Sequence, residues 1–113
     1  MSLNSKFPLL LLASLAAGTP AVAGEVCPSR PQHALRLVDV FDGPPQDLAT
    51  LIPDKARERS GYWQLGYVYD AGRIVTIRCK YDDGKKLDVK LTNRVERCDY
   101  RIDAKHALKL NCK

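Results

Sequence analysis

Beyond residue 23, four cysteines, two histidines, the serines Ser29 and Ser60, and the adjacent acids Asp82 and Asp83 are the residues whose types could do chemistry. Nucleophilic catalysis needs a nucleophile, a base and an orienting group brought together. His33 and His106 fall near the ends of extended runs, and neither serine stands in a strained strand-to-helix elbow. Asp82-Asp83 could serve as a carboxylate pair, but they open Asp82-Asp83-Gly84-Lys85, a strong hairpin signal that accounts for them. The chain has no glycine-rich phosphate cradle and no histidine-rich cluster. The pattern points away from an enzyme and implies no cofactor. What remains is thiol chemistry. Cys27, Cys79, Cys98 and Cys112 include no closely spaced pair of the kind zinc ribbons use, so no metal is expected. An even count in a small exported domain reads as two disulfides.

Export follows from the first residues. Lys6 is the only charge before residue 24, an apolar run covers residues 7–17, and Ala21-Val22-Ala23 gives the small-x-small pattern of a cleavage site. Residues 1–23 are therefore expected to be a signal peptide, the run being shorter than the roughly 20 apolar residues that span a bilayer. Cleavage after Ala23 leaves 90 of the 113 residues, 24–113, as a single disulfide-bonded β-rich domain without a transmembrane segment. Its expected place is the periplasm of a Gram-negative envelope or the outside. A core of this size is marginal, and cross-links supply the remedy.

The remaining sequence supplies the elements that position these groups. Residues 33–41 form an apolar and β-branched run, read as a strand. Asp42-Gly43-Pro44-Pro45 turns it, and Leu48, Leu51 and Ile52 at i, i+3 and i+4 predict a short helix stopped by Pro53. Residues 55–61 read as a polar loop. Trp63, Leu65, Tyr67 and Tyr69 alternate as one face of a second strand, as core packing rather than a stacking platform. Residues 73–81 form a third strand, Leu87, Val89 and Leu91 mark a fourth, Cys98, Tyr100 and Ile102 a fifth, and Leu108, Leu110 and Cys112 a sixth. This period of two predicts a mainly β fold: a small antiparallel sheet or partly closed barrel of five to six strands with one short helix.

Register proposes the pairing of the cysteines. Setting Ile102 opposite Leu108 places Tyr100 opposite Leu110 and Cys98 opposite Cys112, all on the buried face. A Cys98–Cys112 bond then leaves Cys27 to reach Cys79.

Charge is uneven. Residues 24–72 carry five basic and seven acidic side chains, whereas residues 73–113 carry twelve and six. The same register sets Arg101 against Lys109 and Arg97 against Lys113, an unfavourable opposition of like charges. With Arg78, Lys80 and Lys90 assigned to that side, the late strands are expected to present a basic face, either simply solvated or docking an anionic envelope component. An exported chain with no stacking motif is not expected to bind nucleic acid.

Several segments together carry a resemblance: Cys27-Pro28, Val40-Phe41-Asp42-Gly43-Pro44-Pro45, Leu51-Ile52-Pro53-Asp54, Trp63-Gln64-Leu65, Cys79-Lys80-Tyr81, Val95-Glu96-Arg97-Cys98 and Cys112-Lys113. In this order they resemble a family of exported proteobacterial proteins with "STY" locus-style names, whose function is uncharacterised. The resemblance covers essentially all of residues 24–113 and implies an envelope location and a small β-rich domain, but no activity. The stretch from Cys79 to Val89 is also similar to a strand-turn-strand of the bacterial envelope inhibitors of C-type lysozyme. That resemblance implies a protein target and loop insertion, here from residues 57–62, with Arg59, Ser60 and Tyr62 in the inhibitory loop. The expected function is thus a non-catalytic binding module using the basic face, or else a protein inhibitor of this second kind.

Overall fold

A computed structural model describes residues 24–113; the leader expected at residues 1–23 lies outside the described residues. Eight strands are ordered as β1 (Gly24–Glu25), β2 (Leu35–Asp42), β3 (Lys55–Ala56), β4 (Ser60–Gln64), β5 (Val75–Tyr81), β6 (Lys86–Leu91), β7 (Arg97–Ile102) and β8 (Leu108–Cys112), with a five-residue helix α1 at Gly66–Asp70. They make two antiparallel sheets that do not close into a barrel: β1-β8-β7-β4-β3 and β2-β5-β6. The mainly β class is as expected. The two strands beyond the expected six are the two-residue edges β1 and β3.

Alternation decides which side chains go inside. Val38, Val40, Val75, Ile77 and Cys79 of the three-stranded sheet meet Trp63, Cys98, Leu108, Leu110 and Cys112 of the five-stranded sheet in one core. The hairpin register is the expected one, with Ile102 opposite Leu108, Tyr100 opposite Leu110 and Cys98 opposite Cys112. Both disulfides form as read, Cys98–Cys112 within the five-stranded sheet and Cys27–Cys79 with Cα atoms 5.9 Å apart. Cys27 lies two residues past β1 of the larger sheet and Cys79 lies in β5 of the smaller, so this second bond ties the two sheets to each other.

The helix stands elsewhere than expected. Behind the Asp-Gly-Pro-Pro corner there is only a 3-10 turn at Pro45–Asp47, ended by Leu48 in the left-handed region (φ 60°). Pro45 does occupy its first position, as a residue without an N–H can. The chain then returns to β2 instead of winding on: Asp42 N–H donates to the Ala49 carbonyl (2.9 Å) and Leu51 N–H to that of Val40 (2.7 Å). Conversely, residues 66–70 are helical although Tyr67 and Tyr69 continue a strand-like alternation. Leu65 and Val68, three apart, are both fully buried, and Gly72 at φ 80° closes the turn by donating to Tyr69. A glycine in that conformation ends a helix as readily as it makes a hairpin.

The lead-in is clamped at the other end of the molecule. Arg30 makes a two-pronged bond to Asp83 (2.8 Å twice), His33 bonds Asp82 (2.9 Å), and Ala34 N–H donates to the same carboxylate (3.1 Å). Ala34 and His33 hold the Asp82 carboxyl below its ordinary range, and Arg30 with Lys85 N–H holds Asp83 well below it. Both acids have depressed values in the folded chain, so the clamp contributes fully above the ordinary carboxylate range, about pH 4, and is lost as pH falls. Urea midpoints measured downward from pH 5 are expected to drop, and Asp83→Asn to drop less steeply from a lower starting point.

Candidate functional site

The six residues expected to make one basic face do not share a surface. Arg78, Lys80 and Lys90 belong to the three-stranded sheet, and Arg97, Arg101 and Lys109 to the five-stranded one. The sheets turn their inner faces to a common core, so their outer faces diverge. Carboxylates also neutralise half of the set: Arg78 pairs with Asp88 (2.8 Å), Lys80 with Asp39 (2.7 Å) and Arg97 with Asp99 (2.9 Å). The reading of a single basic face is corrected on both counts. Period-two alternation tells which side of a strand a residue takes, but not which sheet the strand joins.

On the outer face of the five-stranded sheet the expected sites partly converge. Ser60, Arg101 and Lys109 form one cross-strand row, and Tyr62, Asp99 and Asn111 the next. The Arg97 guanidinium lies 3.6 Å above the Tyr62 ring and grips Asp99 through two bonds. Together these residues line a shallow groove of about 260 Å³. Its best donors and acceptors satisfy each other.

The inhibitory loop expected at residues 57–62 is not a projecting loop. Ser60 and Tyr62 lie within β4, and Arg57 N–H donates to the Ser60 carbonyl (2.7 Å) to close a tight hairpin. Arg59 is fastened at both ends, its side chain to the Asp103 carbonyl (2.9 Å) and its own carbonyl to Ile102 N–H (2.8 Å).

His33, Asp82 and Asp83 do gather as three groups that could hold a metal. The Arg30 guanidinium already engages both Asp83 oxygens, so a fixed cation fills the role a metal ion would take there. This grouping needs the pairing of the lead-in with the β5–β6 turn, 49 residues later, which no local motif reveals.

Sequence reading missed the apolar end of the molecule. Among the described residues, Leu48 is 80% exposed and Ile52 86%, on the segment 43–54 that leaves β2. Tyr67 of α1 and Ile74 ahead of β5 are also exposed, and both belong to the same corner. Ile74 accepts from Gly43 N–H (3.0 Å), while the Asp42 and Asp54 carboxylates lie close enough to Tyr67 to add to the upward push that burial gives its phenol. The segment is firmly held. Trp63 Nε1 donates to the Leu51 carbonyl (3.0 Å), Gln64 N–H to Asp54 (2.6 Å), Asp54 N–H to Tyr62 (2.9 Å), and Arg73 pairs with Asp42. The missed signal was the helical spacing of Leu48, Leu51 and Ile52, which suggested a buried stripe when only Leu51 packs on the core.

Leu48 gives the fold little. Left-handed backbone costs a residue with a Cβ roughly 1–2 kcal/mol, and the exposed side chain recovers almost none of that by burial. Leu48→Gly is therefore expected to hold or raise the denaturant midpoint, by up to about 1 kcal/mol in unfolding free energy.

None of the curated proteins and none of the solved structures compared with this chain matches it. A comparison with protein families gives a match over residues 29–113, nearly the whole of the two-sheet domain, and it does not confirm the "STY"-named grouping. By that match the chain belongs to the type VI secretion system Tli immunity protein family.

Proposed function

We propose that this protein is a non-catalytic inhibitor that protects the cell carrying it by binding a type VI toxin, and that it does so in the periplasm. The observation that carries this reading is the family match, which takes in both sheets and three of the four cysteines within residues 29–113. Membership in an immunity family implies a protein target and inhibition by occupancy. The two disulfides support an oxidising compartment, since cytosolic thiols are kept reduced. The chemistry-bearing groups that meet, Arg30 with Asp83 and His33 with Asp82, are spent on mutual pairing that fastens the lead-in. Of the two functions expected from sequence, the inhibitor is retained without lysozyme as its target, and the anionic-component reading is not carried forward.

The test is survival in co-culture. Prey cells deleted for this gene are mixed with their own parent strain, carrying either a working or a disabled type VI apparatus. The deleted prey should die only beside the working apparatus and be rescued by the full chain supplied in trans. Equal survival of deleted and intact prey would remove the proposal.

A further inference from the structure

The corner built from residues 43–54, α1 and the start of β5 presents exposed apolar side chains on a backbone that is tied down. Leu48 and Ile52 are the two most exposed large apolar side chains among the described residues, and they stand only four positions apart. Here the segment is also pre-organised, because the hydrogen bonds from Asp42, Leu51, Trp63 and Gln64 remove most of the ordering cost that binding would otherwise incur. Leucine at a left-handed, solvent-facing position is a poor choice for folding and a good one for projecting an apolar tip.

Charge narrows the partner. Residues 42–54 contain Asp42, Asp47 and Asp54 and no lysine or arginine. Arg73 neutralises Asp42, and Asp47 has no ion-pair partner among the described residues. Residues 42–54 therefore carry two carboxylates without an ion-pair partner among the described residues, Asp47 and Asp54, although the chain as a whole is basic and Arg73 and Lys90 line the neighbouring cavity beside Ile74. A complementary surface is an apolar cleft edged by lysine or arginine. The outer groove of the five-stranded sheet is the weaker candidate, because Arg97, Tyr62 and Asp99 already satisfy one another.

We propose that residues 43–54, with Leu48 and Ile52 at the tip and Tyr67 and Ile74 beside them, are the element that enters the toxin, filling an apolar cleft with a basic border. This rests on the inhibitor reading above. Leu48 and Ile52 supply the apolar area that the cleft removes from water, and the carboxylates of Asp47 and Asp54 orient the approach.

The probe is the parent strain with its working type VI apparatus, set against deleted prey that carry variants of the full chain. The double variant Leu48→Asp/Ile52→Asp should protect no better than an empty vector. Leu48→Gly, which removes one anchor while easing the backbone, and Asp47→Lys, which sets like charge against the basic border, should each protect less than the native chain. Arg101→Glu/Lys109→Glu, on the five-stranded sheet, should protect fully. Immunoblots of periplasmic extracts should match the native chain and thermal midpoints of the purified variants should not fall below it, since every altered side chain is exposed and Leu48→Gly eases the backbone. Native-level protection by both the double variant and Leu48→Gly would overturn the docking assignment while leaving the inhibitor reading standing, as would loss of protection confined to the sheet variant. Failure of the native chain itself to protect would instead remove the inhibitor reading, and the docking element with it.

Discussion

Replacing Cys27 and Cys79 together by alanine should lower the free energy of unfolding by about 4 kcal/mol, against about 3 kcal/mol for the Cys98–Cys112 pair. The difference follows from loop length. The first bond closes a sequence separation of 52 residues and the second one of 14, and a cross-link that closes the longer loop removes more freedom from the unfolded chain. Position adds to it. Cys27–Cys79 is the covalent link between the two sheets, whereas Cys98–Cys112 joins neighbours already paired by β7 and β8. A domain of this size is stable by roughly 5–13 kcal/mol, so the first loss is a large share of the total. Urea titrations of the two alanine pairs beside the oxidised native protein would measure both. Equal losses, or a larger loss from the Cys98–Cys112 pair, would show that loop closure does not set their contributions.

The second large effect is expected at Trp63, the single tryptophan. Its ring is buried against Tyr100, with centroids 5.4 Å apart, and its Nε1 holds the Leu51 carbonyl at 3.0 Å. Trp63→Ala should cost about 3–5 kcal/mol through lost transfer energy and the cavity left behind. Trp63→Phe is more informative. It keeps an aromatic ring in the core but leaves the Leu51 carbonyl without its donor, a penalty of about 1–3 kcal/mol. Because Leu51 lies between the two exposed anchors, the phenylalanine variant should also loosen residues 43–54. Amide exchange at Ala49 to Ile52 should quicken more than at β7 or β8. Uniform quickening across the domain would place the Trp63 bond outside the support of that segment.

Much of this fold was legible because the late strands obey a simple rule. Within β5, β6, β7 and β8 apolar and polar side chains alternate, and the tight turns between strands fix register, so even the Cys98–Cys112 pairing could be counted out. The errors fall where two periods fit the same residues. Leu65, Tyr67 and Tyr69 satisfy a strand, but Leu65 and Val68 satisfy a helical turn, and burial of Val68 decided the matter. Leu48, Leu51 and Ile52 satisfy a helix, yet the backbone bonds from Asp42 and Leu51 draw that segment back to β2. Division of the strands between two sheets was not legible, since alternation is the same in either sheet, and the basic face failed for that reason. The exposed apolar corner was hidden for a related cause: leucine and isoleucine in sequence say that a contact is wanted, not whether the partner is the chain's own core or another molecule.

Stoichiometric neutralisation is tested most directly by titrating the oxidised domain into the purified toxin whose removal from the attacking strain abolishes killing. Toxin activity is expected to fall linearly and vanish at one equivalent, with the two proteins recovered intact in one complex. Activity unchanged at a large molar excess, or lost at a small fraction of an equivalent with the toxin chemically altered, would contradict a binding inhibitor.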